Sequence, residues 1–172
     1  MPRLLVTPLS SLADALEAHA PSHLITLLSP QNMIETPEGF APAMHLKLGL
    51  NDIVDPQDGT APPARQHIDA LLSFSRGWDA KQPLLIHCWA GISRSMASAY
   101  IILCDRQGPG HEIRIARAMR QRAPYAQPNR LLVQHADDAL GRGGRMLKAL
   151  DHMGPAQQVQ EGVTTVFPLE GL

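Results

Sequence analysis

Cysteine is nearly absent from this sequence. Cys88 and Cys104 are the two in 172 residues, too few for a disulfide framework or a cysteine-built metal cluster. Aromatic residues are scarce as well, at 4% of the chain, so rows of stacking platforms for single-stranded nucleic acid are not expected. Charge of one sign is missing too: 15 Lys+Arg face 16 Asp+Glu, for a net −1. Only three of those cations are Lys, which leaves no polybasic segment. No apolar run approaches the roughly 18 residues of a membrane span. The opening stretch Met1–Pro8 lacks the apolar core of a secretory leader. A cytoplasmic protein is therefore expected, with neither nucleic acid nor membrane as a partner. What is present is 44% hydrophobic residues, enough for the core of one domain.

Strand and helix patterns alternate along the chain. Arg3–Thr7 and His23–Leu28 are short apolar runs that read as strands, and Ser10 or Ser11 can cap a helix running to His19. Met44–Leu50 alternates with period two, as a half-buried strand does. The polar stretch 51–63 is a long loop, after which Pro62 or Pro63 can open a helix with Ile68, Leu71, Leu72 and Ser75 on one face. Pro83–His87 is short and apolar enough to be a central strand. Helices follow from about Ser93 to Asp105, from His111 to Arg122 and from Pro128 onward, the last one broken by Gly141, Gly143 and Gly144. This order implies an α/β fold with a central, mainly parallel sheet flanked by helices. Residues 1–153 read as a single domain. The segment 154–172 is weakly patterned, either a mobile tail or, through Val163–Phe167, an added edge strand.

One stretch carries chemistry. The strand at Pro83–His87 runs into Cys88-Trp89-Ala90-Gly91-Ile92-Ser93-Arg94-Ser95 and then into a helix. Ligands of open α/β sheets bind beyond the carboxyl ends of the strands, which is where this loop falls. Successive N–H groups from Trp89 to Arg94 can curl around one centre at a helix N-terminus, forming an anion nest. Gly91 permits a conformation and a close approach that a side chain would block. Arg94 can offer a guanidinium fork to two phosphate oxygens. Cys88 faces all of these, a setting that favours the thiolate and aims it at the bound phosphorus. Attack would give a cysteinyl-phosphate, and the Ser95 hydroxyl can help the sulfur leave. His87 is expected to order the loop through backbone hydrogen bonds.

The string His87-Cys88-X-X-Gly91-X-X-Arg94-Ser95 resembles the phosphate-binding loop of the cysteine-based protein tyrosine phosphatase superfamily. Its Ala90–Ser95 portion is most similar to the dual-specificity subgroup. At average residue usage, chance produces the string in on the order of 10⁻⁵ of chains this long. His45–Asp52 resembles the strand and loop that carry the family's general acid, and Pro128-Asn129 with Gln134 resembles an element of the subgroup. The resemblance implies a central sheet of four or five strands. It also implies metal-independent hydrolysis of phosphomonoesters with no cofactor, on phosphotyrosine and with it phosphoserine and phosphothreonine of proteins or peptides. Two other readings stand beside it. One is a catalytically silent module that binds phosphoresidues. The other is a phosphatase of a non-protein substrate, a nucleotide or RNA 5′-phosphate or a phosphoinositide; the last of these needs cations beyond Arg94.

The leaving oxygen needs a proton donor. Asp52, Asp55 and Asp58 are the candidates, with Asp52 preferred because it directly follows the strand Met44–Leu50. If that strand neighbours Pro83–His87, both open onto one edge. Trp89, Ala90, Gly91, Ile92, Ser93 and Arg94 are the expected substrate-binding positions, with Trp89 either lining the pocket or packing under the sheet. Asn129 is expected as a helix cap that can also brace the loop. Cys104 lies about 15 Å along the helix from Arg94 and reads as a core residue. Arg114, Arg117, Arg120 and Arg122 read as a solvated helix face, with the holding of acidic substrate segments as the alternative.

Overall fold

A computed structural model describes residues 3–172. Within them five strands form one sheet: β1 (Arg3–Pro8), β2 (His23–Leu28), β3 (His45–Gly49), β4 (Leu84–Cys88) and β5 (Thr165–Pro168). Their order is β3-β2-β4-β1-β5, parallel except where β5 runs antiparallel to β1. The central position expected for the strand before Cys88 is the one it takes, and all five residues of β4 are buried. The strand before Asp52 does not neighbour it. β3 is the sheet's edge and β2 lies between, but the three are parallel, so their carboxyl ends still open onto one side.

Among the described residues six helices cover the sheet: α1 (Leu12–His19), α2 (Arg65–Gly77), α3 (Arg94–Gln107), α4 (Glu112–Arg122), α5 (Arg130–Ala139) and α6 (Arg145–Asp151). The layers are unequal. Leu5, Leu24 and Leu85 point to a small core closed by Leu12 and Ala15 of α1. Their alternates Leu4, Val6, Ile25, Leu27, Leu84 and Ile86 point into the main core beneath the other helices. Burial on both faces is why the inner strands read as continuous apolar runs rather than alternating ones. Helix α3 lies in the middle of that core, with every residue from Arg94 to Cys104 buried. Near it, Glu112 and Arg142 form a buried ion pair at 2.7 Å, and Asp137 accepts the amides of Gly144 and Met146, holding the α5–α6 turn. Among the described residues no helix is long and apolar enough to cross a membrane.

Local starts differ from the sequence reading in two places. Ser11 occupies the N-cap of α1 but makes no capping bond, because a short 3₁₀ turn over Leu9–Ser11 precedes the helix. The Ser10 hydroxyl instead donates to Glu161 Oε2 at 3.0 Å. Helix α2 begins at Arg65 rather than at Pro62 or Pro63, and its first turn is closed by His67 Nδ1 accepting the Ala64 amide. The glycine break is observed: Gly141, Gly143 and Gly144 all have positive φ and separate α5 from α6.

Candidate active site

Strand β4 delivers Cys88 to the carboxyl edge of the sheet, and the chain turns through 89–93 into α3. The turn is held from outside. Carbonyls of Trp89, Ala90, Ile92 and Ser93 accept the amides of Leu9 (3.1 Å), Gly162 (2.8 Å), Gln127 (3.0 Å) and Asn129 (3.2 Å). A trans peptide carries C=O and N–H on opposite sides, so each outward carbonyl turns the following N–H inward. Among the described residues the amides of 89–93 have no protein partner. The loop is therefore a ring of free donors at the start of a helix, the arrangement that binds a tetrahedral anion. Gly91 is indispensable here for two reasons. Its φ is +69°, and a Cβ would lie 2.8 Å from the Pro8 nitrogen at the end of β1.

Cys88 and Ser95 are both buried, with Sγ 3.1 Å from the serine Oγ. The buried Arg94 side chain lines the cleft and reaches the end of β3, where Nη1 donates to the Leu50 carbonyl at 2.9 Å. Its Nε is buried and has no partner. A buried, unpartnered guanidinium N–H costs free energy unless a ligand takes it up, which is an independent pointer to an anion in this loop. Cys104 plays no part in the site: it is fully buried in α3, where burial pushes its thiol up to about 12.

Asp52 sits against the loop. Its Oδ1 accepts from the Ser93 hydroxyl (2.7 Å) and from Asn129 Nδ2 (2.9 Å), and among the described residues Oδ2 has no protein partner. Asn129 does two jobs. Its Oδ1 caps α5 by accepting the Leu132 amide, while Nδ2 reaches Asp52 and the Ile53 carbonyl. The Asp52 loop is pinched at its base, where Asn51 exchanges main-chain and side-chain hydrogen bonds with Ala61. Asp55 also lines the cleft, and Asp58 does not. Gln134 is exposed on α5 and lies outside the cleft, so only the Pro-Asn part of that element reaches the site.

His87 is held below the loop by a buried chain of hydrogen bonds. Its Nδ1–H donates to the Cys88 carbonyl at 3.3 Å, which leaves Nε2 to accept the Thr26 hydroxyl at 2.7 Å. Thr26 Oγ1 then accepts from His45 Nε2–H at 2.8 Å, and His45 Nδ1 accepts from Thr36 at 3.0 Å. Each donor meets one acceptor, so both tautomers are fixed. Burial pushes both imidazoles down to about 4, which keeps them neutral and leaves proton transfer to other groups.

The cleft above the loop has a volume of about 960 Å³. Trp89 stands on its rim, 58% exposed, rather than under the sheet, and Ile53, Val54, Leu150 and Met153 supply further apolar wall. Two further cations line it, Arg120 and Arg130, of which only Arg130 has no signal in the sequence. Arg120 is not part of a solvated face: its guanidinium donates to the carbonyls of Ala123, Pro124 and Gly154. Leu9, Gln127 and Gly162, which brace the loop through main-chain amides, carry no side-chain signal that a sequence could display.

No protein-family model matches the sequence, and no curated protein sequence matches it. In its fold the chain is similar to solved structures that include a tyrosine phosphatase-like protein and a phosphatase domain. The solved structure of the human tyrosine phosphatase-like serine/threonine/tyrosine-interacting protein is 19% identical, covers 81% of this chain and 91% of its own, and superimposes with a TM-score of 0.64. DUSP15 is 19% identical over 90% of this chain and 94% of its own (TM-score 0.57). PTPMT1, solved in complex with PI(5)P, is 18% identical over 81% and 94% (TM-score 0.55).

Proposed function

We propose that this chain is a cysteine-dependent phosphomonoester hydrolase acting on phosphotyrosine, and also on phosphoserine and phosphothreonine, of proteins or peptides. The observation that carries the reading is the buried, unpartnered Arg94 Nε in the loop that carries Cys88, together with the amides of 89–93, which have no protein partner among the described residues. Phosphate oxygens would accept from those amides and from Arg94, which places phosphorus in front of Sγ. Sγ attacks, the S–P bond forms and the P–O bond to the leaving group breaks, with Asp52 giving the departing oxygen its proton. Asp52 then takes a proton from water, the water oxygen attacks phosphorus, and the S–P bond breaks. The Ser95 hydroxyl, 3.1 Å from Sγ, stabilises the departing thiolate. The open cleft with Trp89 and Ile53 on its walls suits an aryl phosphate and does not exclude a shorter side chain.

A phosphoinositide is the second reading, favoured by one observation: beyond Arg94 the cleft is lined by Arg120 and by Arg130, the latter ion-paired with Asp151 at 2.9 Å. The deciding experiment measures metal-free phosphate release from an aryl phosphate, phosphotyrosine and phosphothreonine peptides and phosphoinositide vesicles, wild type beside Cys88→Ser. Turnover of the aryl and peptide substrates by the wild type alone supports the thiolate mechanism and the protein substrate. Preference for the vesicles moves the substrate to the lipid reading. Peptide binding with no turnover makes the chain a phosphoresidue reader and removes the enzyme.

A further inference from the structure

Residues 157–165 run over the outside of the phosphate-binding loop before joining the sheet as β5, and they touch it through one main-chain bond, Gly162 N to Ala90 O at 2.8 Å. That bond fixes the Ala90–Gly91 peptide plane, and with it the direction of the Gly91 amide. Gly91 is the residue least able to fix its own plane, since glycine has the widest conformational freedom in the chain. Its neighbours at Trp89 and Ile92 have separate braces in Leu9 and Gln127.

The bracing segment is itself locked. The buried Tyr125 hydroxyl donates to the Val163 carbonyl (2.8 Å) and accepts the Val163 amide (3.0 Å), and Thr165 Oγ1 lies 2.9 Å from it. Thr164 Oγ1 meets Thr7 Oγ1 on β1 at 2.8 Å, and the Gln157 amide donates to the Pro124 carbonyl at 2.9 Å. Gly162 packs against the hydroxyl end of the Tyr125 ring: a Cβ there would meet Cε2 and stand 2.8 Å from Cζ and 3.0 Å from the hydroxyl oxygen. The ring end cannot swing away cheaply, because three polar atoms hold it. An added methyl would instead lift the segment off Ala90.

We propose that Gly162 and Tyr125 are positioning residues of the phosphate site: Tyr125 seats the 157–165 segment so that the Gly162 amide holds the Gly91 N–H on the bound phosphoryl group. The assignment rests on the phosphatase reading for its kinetic half and on anion binding alone for the other half.

The test compares wild type, Gly162→Ala and Tyr125→Phe in kcat and KM for an aryl phosphate and in the dissociation constant of inorganic phosphate, with temperature set well below each unfolding midpoint. Loss of one oriented donor to the transition state should lower kcat by about 10- to 100-fold in Gly162→Ala and weaken phosphate by about 10-fold. Tyr125→Phe, which removes only the hydroxyl, should move both in the same direction by about 3- to 10-fold and serves if Gly162→Ala does not fold. Folded variants with kcat and phosphate affinity within twofold of wild type would overturn the assignment, as would a lowered midpoint with both constants unchanged. If the wild type turns nothing over but binds phosphate, the enzymatic reading fails while the phosphate affinities still decide the positioning role.

Discussion

Asn129 Nδ2 lies 2.9 Å from Asp52 Oδ1 while the same side chain caps α5 through its oxygen at Leu132. One amide thus couples the start of a helix to the carboxylate proposed as general acid. The two functions sit on opposite atoms of the group, so substitution can separate them.

Asn129→Asp keeps an oxygen for the Leu132 amide and loses the donor to Asp52. The cap itself is kept, since Asp and Asn cap comparably, but the second carboxylate oxygen lies buried against Asp52 Oδ1 and the Ile53 carbonyl, so stability in urea unfolding at neutral pH should fall by about 1–3 kcal/mol. Turnover should drop as well, most for substrates whose leaving group needs protonation. Asn129→Ala loses both bonds without adding a charge and should cost about 1 kcal/mol for the lost cap. If Asn129→Asp has full activity on a poor leaving group, the contact to Asp52 has no part in the reaction.

Asp52→Ala is expected to slow an alkyl phosphate by about 10²- to 10⁴-fold and a nitrophenyl phosphate far less, because a good leaving group departs without a proton. Steady-state rates with the two substrates read the difference. Equal slowing of both would transfer the acid role to Asp55, the other candidate on the cleft wall.

The buried imidazole of His87 makes stability depend on pH with a definite sign. Burial holds it down to about 4, with the Cys88 carbonyl bond opposing the shift, while the unfolded chain titrates near 6.5. Above about pH 6.5 the group is neutral in both states and contributes no slope. As pH falls from there to about 4, the unfolded chain takes up a proton that the folded one refuses, and stability drops by up to about 3 kcal/mol. His45 contributes in the same direction. His87→Gln should therefore be less stable at pH 8, having lost its hydrogen bonds, yet show a shallower decline between pH 6.5 and 4. Urea midpoints across that range check it; an unchanged slope would assign the titration to His45 and other groups.

The sequence displays the loop itself because local chemistry dictates it. Cys88, Gly91, Arg94 and Ser95 fall at spacings that a strand–turn–helix can bring around one centre, and the apolar period of each neighbour announces the strand and the helix. The central place of β4 was legible for the same reason, since a run buried on both faces has no polar alternates. The separation of β3 from β4 by β2 was not legible, because the order of parallel strands leaves no mark on the residues of any one strand. The sequence places Arg120 on a solvated face because its partners are carbonyls of Ala123, Pro124 and Gly154, and every residue has a carbonyl. Gln134 matched a pattern but lies on the outer face of α5.

By itself the sequence determined which residues could form an anion nest around a thiol, and that the chain would lay strands and helices alternately around it. Tertiary structure alone decided which way the loop's amides point. That direction is set by hydrogen bonds from Leu9, Gln127, Asn129 and Gly162 to four carbonyls of the loop. These are main-chain contacts across long stretches of chain, and main-chain donors are the same in every residue but proline. Their positions come from the packing of β1, the 123–129 segment and the 157–165 segment around β4, which no local pattern in the chain encodes.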